Sequence, residues 1–442
     1  MLFTQWEELL YRFDGIAPVP GSSGATVVRE DLPKGKPRLS PYGDVESWRA
    51  VGRLWARSPI LREMQRRYPD PPVVYFVSNN ESDRLRWFES EKIPGPRVGS
   101  RRAAFEQTRR EFGDGYIERY TAMIEGIREG LVSWRSRVRF VTWGGANAFM
   151  GRTKKRSNRS SWMHGGQPLF GLTIPGRLSI FPTIWDGASP RYYITHQRGE
   201  EDRSVFGPQS AGMYLPLHLA DACAVDPDFF WELSTWVDPE YRDAEKRKGR
   251  PYTIDRYVGL VKVGTWLARP QVVRLFNYGD RRVEGFYEEL AGIQRVIDAV
   301  HASPILRRFY ERGRLVPNPS RAHPHRLDLP ETIAANPPWF ALETRPGPDG
   351  EWTPTSEMPV WAIAYVRGET PNREWLVLAQ SPEGNRDDVS IELPGFGAVC
   401  ASATQSGRYY LADEAAGAVR SLDAAGEARG PVPSCSAIGR AR

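Results

Sequence analysis

Asn79, Asn80 and Glu81 close a β-rich apolar run, Val73-Val74-Tyr75-Phe76-Val77-Ser78. A buried strand that stops on a carboxylate delivers an acid to a loop rim, where parallel-sheet enzymes keep their chemistry. A second run, Asp228-Phe229-Phe230-Trp231-Glu232-Leu233-Ser234, carries another carboxylate. Two acids facing one cleft can divide the cleavage of an acetal. One protonates the leaving oxygen and the other attacks the anomeric carbon, at a separation of roughly 5 Å. Each acid also has a structural reading. Glu81 suits the first turn of a helix beginning at Ser82-Asp83-Arg84. Glu232, between Trp231 and Trp236, suits a buried, paired carboxylate, with Asp186 and Asp238 as rival acids at neighbouring strand ends.

The elements that must position these acids alternate along the chain. Asp44 to Arg67 has helical periodicity through Val45, Trp48, Val51, Leu54, Trp55, Ile60, Leu61 and Met64, interrupted at Ser58-Pro59. It leads into the Val73 strand. Arg102 to Ser133 predicts a long amphipathic helix, and Arg137 to Trp143 the next strand. Arg177 to Ile184 predicts a third strand, ending at Trp185-Asp186, and Ser210 to Val225 a helix. Asp228 to Ser234 and Tyr257 to Leu267 predict a fourth and a fifth strand, followed by a helix from Gly285 to Ala302. Five strands separated by long crossovers predict a (β/α) barrel of the TIM type. An open doubly wound sheet competes, but no Gly-rich phosphate turn follows any strand.

Beyond Arg326 the texture changes to short strands split by Gly, Pro, Asn and Asp, at Trp339–Glu343, Val360–Val366, Glu374–Ala379, Val389–Leu393 and Arg408–Leu411. This pattern predicts a small antiparallel β-sandwich. The expected organisation is a barrel domain over residues 1–316, a linker over 317–330, a sandwich over 331–422 and a disordered tail over 423–442. The string Ser-Pro-Ile-Leu-Arg occurs at Ser58–Arg62 and at Ser303–Arg307 and reads as a repeated helix start, Ser at the N-cap and Pro at the first helical position.

A barrel with Asn-Glu at the end of its fourth strand and Glu at the end of its seventh, followed by a small β-sandwich, resembles the large clan of retaining glycoside hydrolases. The resemblance covers roughly residues 70 to 290. It implies Glu81 as general acid/base, Asn80 as the neighbour that hydrogen-bonds the sugar 2-hydroxyl, and Glu232 as nucleophile. Trp143, Trp185 and Trp266, each late in a predicted strand, are the implied platform for the sugar, with Asn79, Asp186 and His196 as further substrate-binding residues. One departure stands out. Only Ala25-Thr26-Val27-Val28 resembles a strand before Asp44, so the barrel is expected to lack its first strand-helix units.

Composition narrows the partners. Sixty Lys and Arg against 54 Asp and Glu leave a scattered net charge of +6, which does not predict a nucleic-acid partner. The one dense basic run, Arg152 to Arg159, reads as a solvated loop or a contact for an anionic polysaccharide. Fifteen Trp and eighteen Tyr supply amphipathic rings that suit a carbohydrate partner, and equally a core. Cys223, Cys400 and Cys435 are far apart and odd in number, so neither a disulfide framework nor a metal cluster is indicated, and no cofactor is expected. No apolar stretch is long enough to span a bilayer, and Met1 to Glu7 lacks signal-peptide character, so no membrane partner is expected. Two other functions fit the residues: a non-catalytic or degenerate carbohydrate-binding barrel, and a lyase for anionic polysaccharides using Tyr192, Tyr193 or His196.

Overall fold

The structure, a computed structural model, describes residues 2–4, 26–28, 37–39, 44–79, 117–143, 183–189, 191–193, 215–216, 219, 222–223, 225–237, 252–276, 286–320, 339–346, 360–382 and 384–432. The protein is mixed α/β, with a parallel sheet and antiparallel sheets. Its contacts group into two units: Met1–Pro190 with His218–Trp231 and Asp328–Ile333, and Arg191–Leu217 with Glu232–Leu327 and Ala334–Arg442.

The first unit opens with β1 (Leu2–Thr4) and a short antiparallel pair, β2 (Thr26–Val28) and β3 (Pro37–Leu39). Helices α1 (Val45–Ala56) and α2 (Pro59–Arg67) then feed β4 (Val74–Asn79). Helix α3 (residues 117–130) precedes β5 (Val138–Trp143), which is followed by β6 (Gly187–Ser189). Pro190 separates β6 from β7 (Arg191–Tyr193), and β8 (Phe230–Trp236) pairs with both. Within the first unit five strands run parallel in the order β1-β4-β5-β6-β8. Each strand of this sheet lies beside the one before it, an order without the reversal of a doubly wound sheet. The strands expected at Val73 and Arg137 form. The third begins at Gly187, later than the expected Arg177–Ile184, of which residues 177–182 lie outside the described residues.

This sheet curls. Two strands intervene between β4 and β8, a separation of about 14 Å in a flat sheet, yet the rings of Tyr75 and Phe230 approach to 4.9 Å. The face of Tyr75 is therefore concave. Gly187 leaves room for this, since a Cβ there would lie 2.6 Å from the Cβ of Phe230. On the opposite face Phe76 stacks on Phe140 at 5.5 Å and meets Trp55 of α1 edge-on at 5.0 Å. Helix α1 starts on Asp44, whose carboxylate accepts from Ser47 N, and crosses α3 at backbone contact. A Cβ on Gly52 would lie 2.1 Å from Met123 O, and one on Gly126 would lie 2.1 Å from Arg49 O. Arg49 and Arg53 pair with Glu125 and Glu129 along the rim of that crossing.

The second unit joins β7 and the carboxyl-terminal part of β8 to β9 (Val272–Phe276), again in parallel. Helices α4 (Ile254–Ala268), α5 (Tyr287–Ala302) and α6 (Pro304–Arg312) belong to it. Its antiparallel strands are β10 (Arg314–Leu315), β11 (Thr344–Arg345), β12 (Trp361–Arg367), β13 (Glu374–Gln380), β14 (Arg386–Leu393), β15 (Gly397–Ala403), β16 (Arg408–Asp413), β17 (Ala418–Leu422) and β18 (Ala428–Pro431). One sheet runs β10-β12-β13-β16-β17-β18 and a smaller one β11-β14-β15. The strand period of two sorts their cores. Trp361, Ile363, Tyr365, Leu376, Leu378, Tyr409 and Leu411 face a core shared with α4 and α6. Their neighbours Ala362, Ala364, Val377, Ala379, Tyr410 and Ala412 pack with Val389, Ile391, Val399 and Ala401 of the smaller sheet.

The predicted fifth strand, Tyr257 to Leu267, is helix α4. Every residue from Arg256 to Ala268 is buried, so the helix carries no polar stripe, and an apolar run without a period reads equally as a strand. Thr253 caps it, accepting from Arg256 N, and Arg269 ends it in the left-handed region at φ 47°. Trp339 to Glu343 is not a strand, although Trp339 is core. The tail expected to be disordered from 423 includes β18, paired with β17. Cys400, on β15, is disulfide-bonded, whereas Cys223 is free. Both Ser-Pro-Ile-Leu-Arg strings start nine-residue helices, but only Ser303 makes the capping bond, accepting from Leu306 N. Residues 321–330 of the expected linker lie outside the described residues.

Candidate functional site

The carboxyl edge of the first unit's sheet is set by register. Asn79 pairs with Trp143 and Trp143 with Ser189, so the last residues of β4, β5 and β6 share one register row. Asn80 and Glu81 follow directly on β4 but lie outside the described residues, as does His196.

Asp186 and Trp185 occupy the other half of the sheet. The Asp186 carboxylate takes both contacts, 2.7 and 2.6 Å, from Arg128 Nη2 and accepts the amide of Phe140 at 2.8 Å. Its own amide donates to Phe140 O and its carbonyl accepts from Phe230 N. Asp186 thus stitches neighbouring strands just ahead of β6, while the Arg128 guanidinium sits 5.0 Å over the Phe140 ring. Trp185 is 1% exposed and packs 5.8 Å from the ring of Tyr120. Neither residue is at the carboxyl edge. Trp266 is likewise 1% exposed, within α4, donating its indole N–H to Tyr409 Oη at 2.8 Å among Tyr310, Tyr365 and Tyr409. Two of the three implied platform tryptophans are therefore core residues, leaving Trp143 in its edge row.

Glu232 is the third of the seven residues of β8, not its last, and its Cα partner is Val272, the first residue of β9. The carboxylate is 1% exposed and ion-paired with the Arg274 guanidinium, which is itself 6% exposed. Arg274 Nη2 also reaches Ser234 Oγ at 3.5 Å. On the other face of the strand, Thr235 Oγ1 lies 2.8 Å from the Tyr257 hydroxyl of α4 and donates to Arg274 O at 3.0 Å. This geometry fits the paired, buried carboxylate that the flanking tryptophans allowed. Burying two charges is costly unless their pairing and further hydrogen bonds offset it, and this cluster supplies both.

Sequence reading missed Arg274 and Lys262. A lone charge inside the apolar run Val272-Val273-Arg274-Leu275-Phe276 was the available signal for the first. Lys262 carries no such signal, because α4 is buried throughout and has no polar stripe. It is buried, donates to Gly407 O at 3.0 Å, and lies 5.2 Å from the centre of the Tyr409 ring. Burial lowers its ammonium to about 8, with Asp255 opposing the shift and Arg295 adding to it. Among the described residues no group of His, Cys, Asp and Glu could hold a metal ion, and no helix is long and apolar enough to cross a membrane. No protein family matches the sequence, and no curated protein does.

Proposed function

We propose that this chain is a glycoside hydrolase cleaving O-glycosidic bonds of a polysaccharide or oligosaccharide, with Glu81 as general acid/base. The observation that carries the reading is the consecutive order of the curled parallel strands, with Asn79 as the last residue of β4. Helix α1 covers the other face through Trp55, as in a barrel wall. We read the sheet as part of a (β/α) barrel short of its first strand-helix units, and the two antiparallel sheets as the small β-sandwich. In this scheme Glu81 donates a proton to the leaving glycosidic oxygen and later accepts one from the attacking water, while Asn80 hydrogen-bonds the substrate. Retention of configuration needs a nucleophile as well, and Glu232, the carboxylate that the resemblance implies for it, is engaged by Arg274.

That ion pair favours a second reading, a barrel-derived protein that binds carbohydrate without cleaving it. The two separate on Glu81→Gln and Glu232→Gln variants assayed against aryl glycosides and polysaccharides. Turnover by the parent chain that Glu81→Gln abolishes supports the hydrolase, and proton NMR of the first-formed anomer then distinguishes retention from inversion. Turnover unaffected by Glu81→Gln sinks the proposal. Binding without turnover in the parent chain establishes the second reading, and a product absorbing in the ultraviolet indicates a lyase.

A further inference from the structure

Five of the eight large hydrophobic side chains that stand exposed among the described residues gather at one end of the first unit: Leu54, Ile60, Tyr68, Val73 and Val132. They belong to the amino edge of the parallel sheet. Val74 and Val138, the first residues of β4 and β5, are register partners, and Val74 N donates to Arg137 O at 2.9 Å. Ahead of the strands, Trp134 Nε1 donates to Tyr68 O at 2.7 Å, Arg137 Nη1 to Pro71 O at 3.0 Å and Ser133 Oγ to Gln65 Oε1 at 3.0 Å. The end of α3 meets the end of α1, where a Cβ on Gly130 would lie 2.4 Å from that of Ala56. The last turn of α1, helix α2 and the turn that carries Val132 therefore form one surface.

The same surface is basic. Six arginines, Arg57, Arg62, Arg66, Arg67, Arg135 and Arg137, meet two carboxylates, Glu63 and Asp70, so residues 57–73 and 131–137 hold +4 of the chain's net +6. Glu63 is bound by Arg66 and Arg67 and Asp70 by Arg137, while Arg57, Arg62 and Arg135 make no ion pair among the described residues. The next carboxylate, Glu129, is held by Arg49 and Arg53. Scattered apolar side chains on a surface are ordinary, whereas apolar and cationic groups concentrated together mark a contact. Charge alone suits any polyanion. Protruding aliphatic side chains, with Val132 82% and Ile60 66% exposed, gain only from a partner that takes them out of water. An anionic lipid bilayer does both: guanidinium groups hold headgroup phosphates while side chains at a helix start and a turn enter the acyl boundary. Helix α2, with nine residues, lies on such a bilayer and is too short to cross it.

We infer that this amino-edge surface of the first unit docks on an anionic lipid bilayer. The inference does not rest on the glycoside hydrolase reading. The carboxyl edge that ends in Asn79 lies at the other end of the same strands, about 20 Å away, and stays in water. The full chain is sedimented with vesicles of phosphatidylcholine alone and of phosphatidylcholine with roughly one-third phosphatidylserine. It pellets with the mixed vesicles and not with phosphatidylcholine, and about 0.5 M salt releases most of it. Arg57→Ala, Arg62→Ala and Arg135→Ala each lower the partition coefficient roughly five-fold, and Ile60→Ser and Val132→Ser each by a similar factor. All five side chains are exposed, and circular dichroism confirms that the variants fold; those that do carry the test. No binding to the mixed vesicles, or binding that the substitutions leave unchanged, overturns the inference. Binding that needs the arginines but not Ile60 and Val132 reduces it to general charge attraction and overturns it too. Arginine-dependent retention on heparin by a chain that no vesicle captures assigns the surface to an anionic polysaccharide instead.

Discussion

Glu232 and Arg274 form an ion pair across β8 and β9 in which both side chains are almost fully buried. Removing one partner strands the other charge. Glu232→Leu and Arg274→Met are each expected to cost about 3 to 5 kcal/mol, and the double change that combines them much less than their sum. Urea unfolding of the three variants checks this. Additive losses would show that the pair is not coupled.

Lys262 makes stability depend on alkaline pH. Its folded-state value of about 8 lies below the ordinary 10.5, so between those two values the unfolded chain binds more protons than the folded one. The penalty of burying the ammonium is fully present below pH 8 and is relieved as pH rises toward 10.5, a gain of up to about 3 kcal/mol. Lys262→Met should flatten that rise in denaturant unfolding measured from pH 7 to pH 10.5. An equal slope in both proteins would assign it to other groups.

The crossing of α1 and α3 tolerates no side chain at Gly52 or Gly126, where a Cβ would meet backbone oxygen at 2.1 Å. Alanine at a helical glycine ordinarily gains about 1 kcal/mol, so Gly52→Ala and Gly126→Ala lowering the thermal midpoint would show that the clash outweighs propensity. At Gly130 the obstacle is the Ala56 Cβ at 2.4 Å. Ala56→Gly should therefore rescue Gly130→Ala, and fail to rescue Gly126→Ala.

The two Ser-Pro helix starts differ in energy despite sharing a sequence. Ser303 Oγ accepts from Leu306 N and donates to Gly426 O, whereas Ser58 makes no capping bond. Ser303→Ala should cost about 1 to 2 kcal/mol and Ser58→Ala a few tenths, read from chemical denaturation. Equal costs would contradict the difference in capping.

What could be read from the sequence follows from local physics. The amphipathic period over Val45 to Arg67, the β-branched and aromatic runs at Val74 and Val138, and the alternating strands after Val360 each carry their own signal, and each element forms. The Asn79 strand end was legible for the same reason. The sequence also admitted both readings of Glu232, because a carboxylate flanked by tryptophans is compatible with a mouth or an interior. Only the tertiary structure set Val272 beside it and Arg274 within reach, which a partner 42 residues away leaves unwritten in any local window. The same holds for α4. Once both its sides are covered, by Thr235 of β8 and by the sheet that holds Trp361 and Tyr409, hydrophobicity loses its period, and the choice between helix and strand passes from pattern to packing.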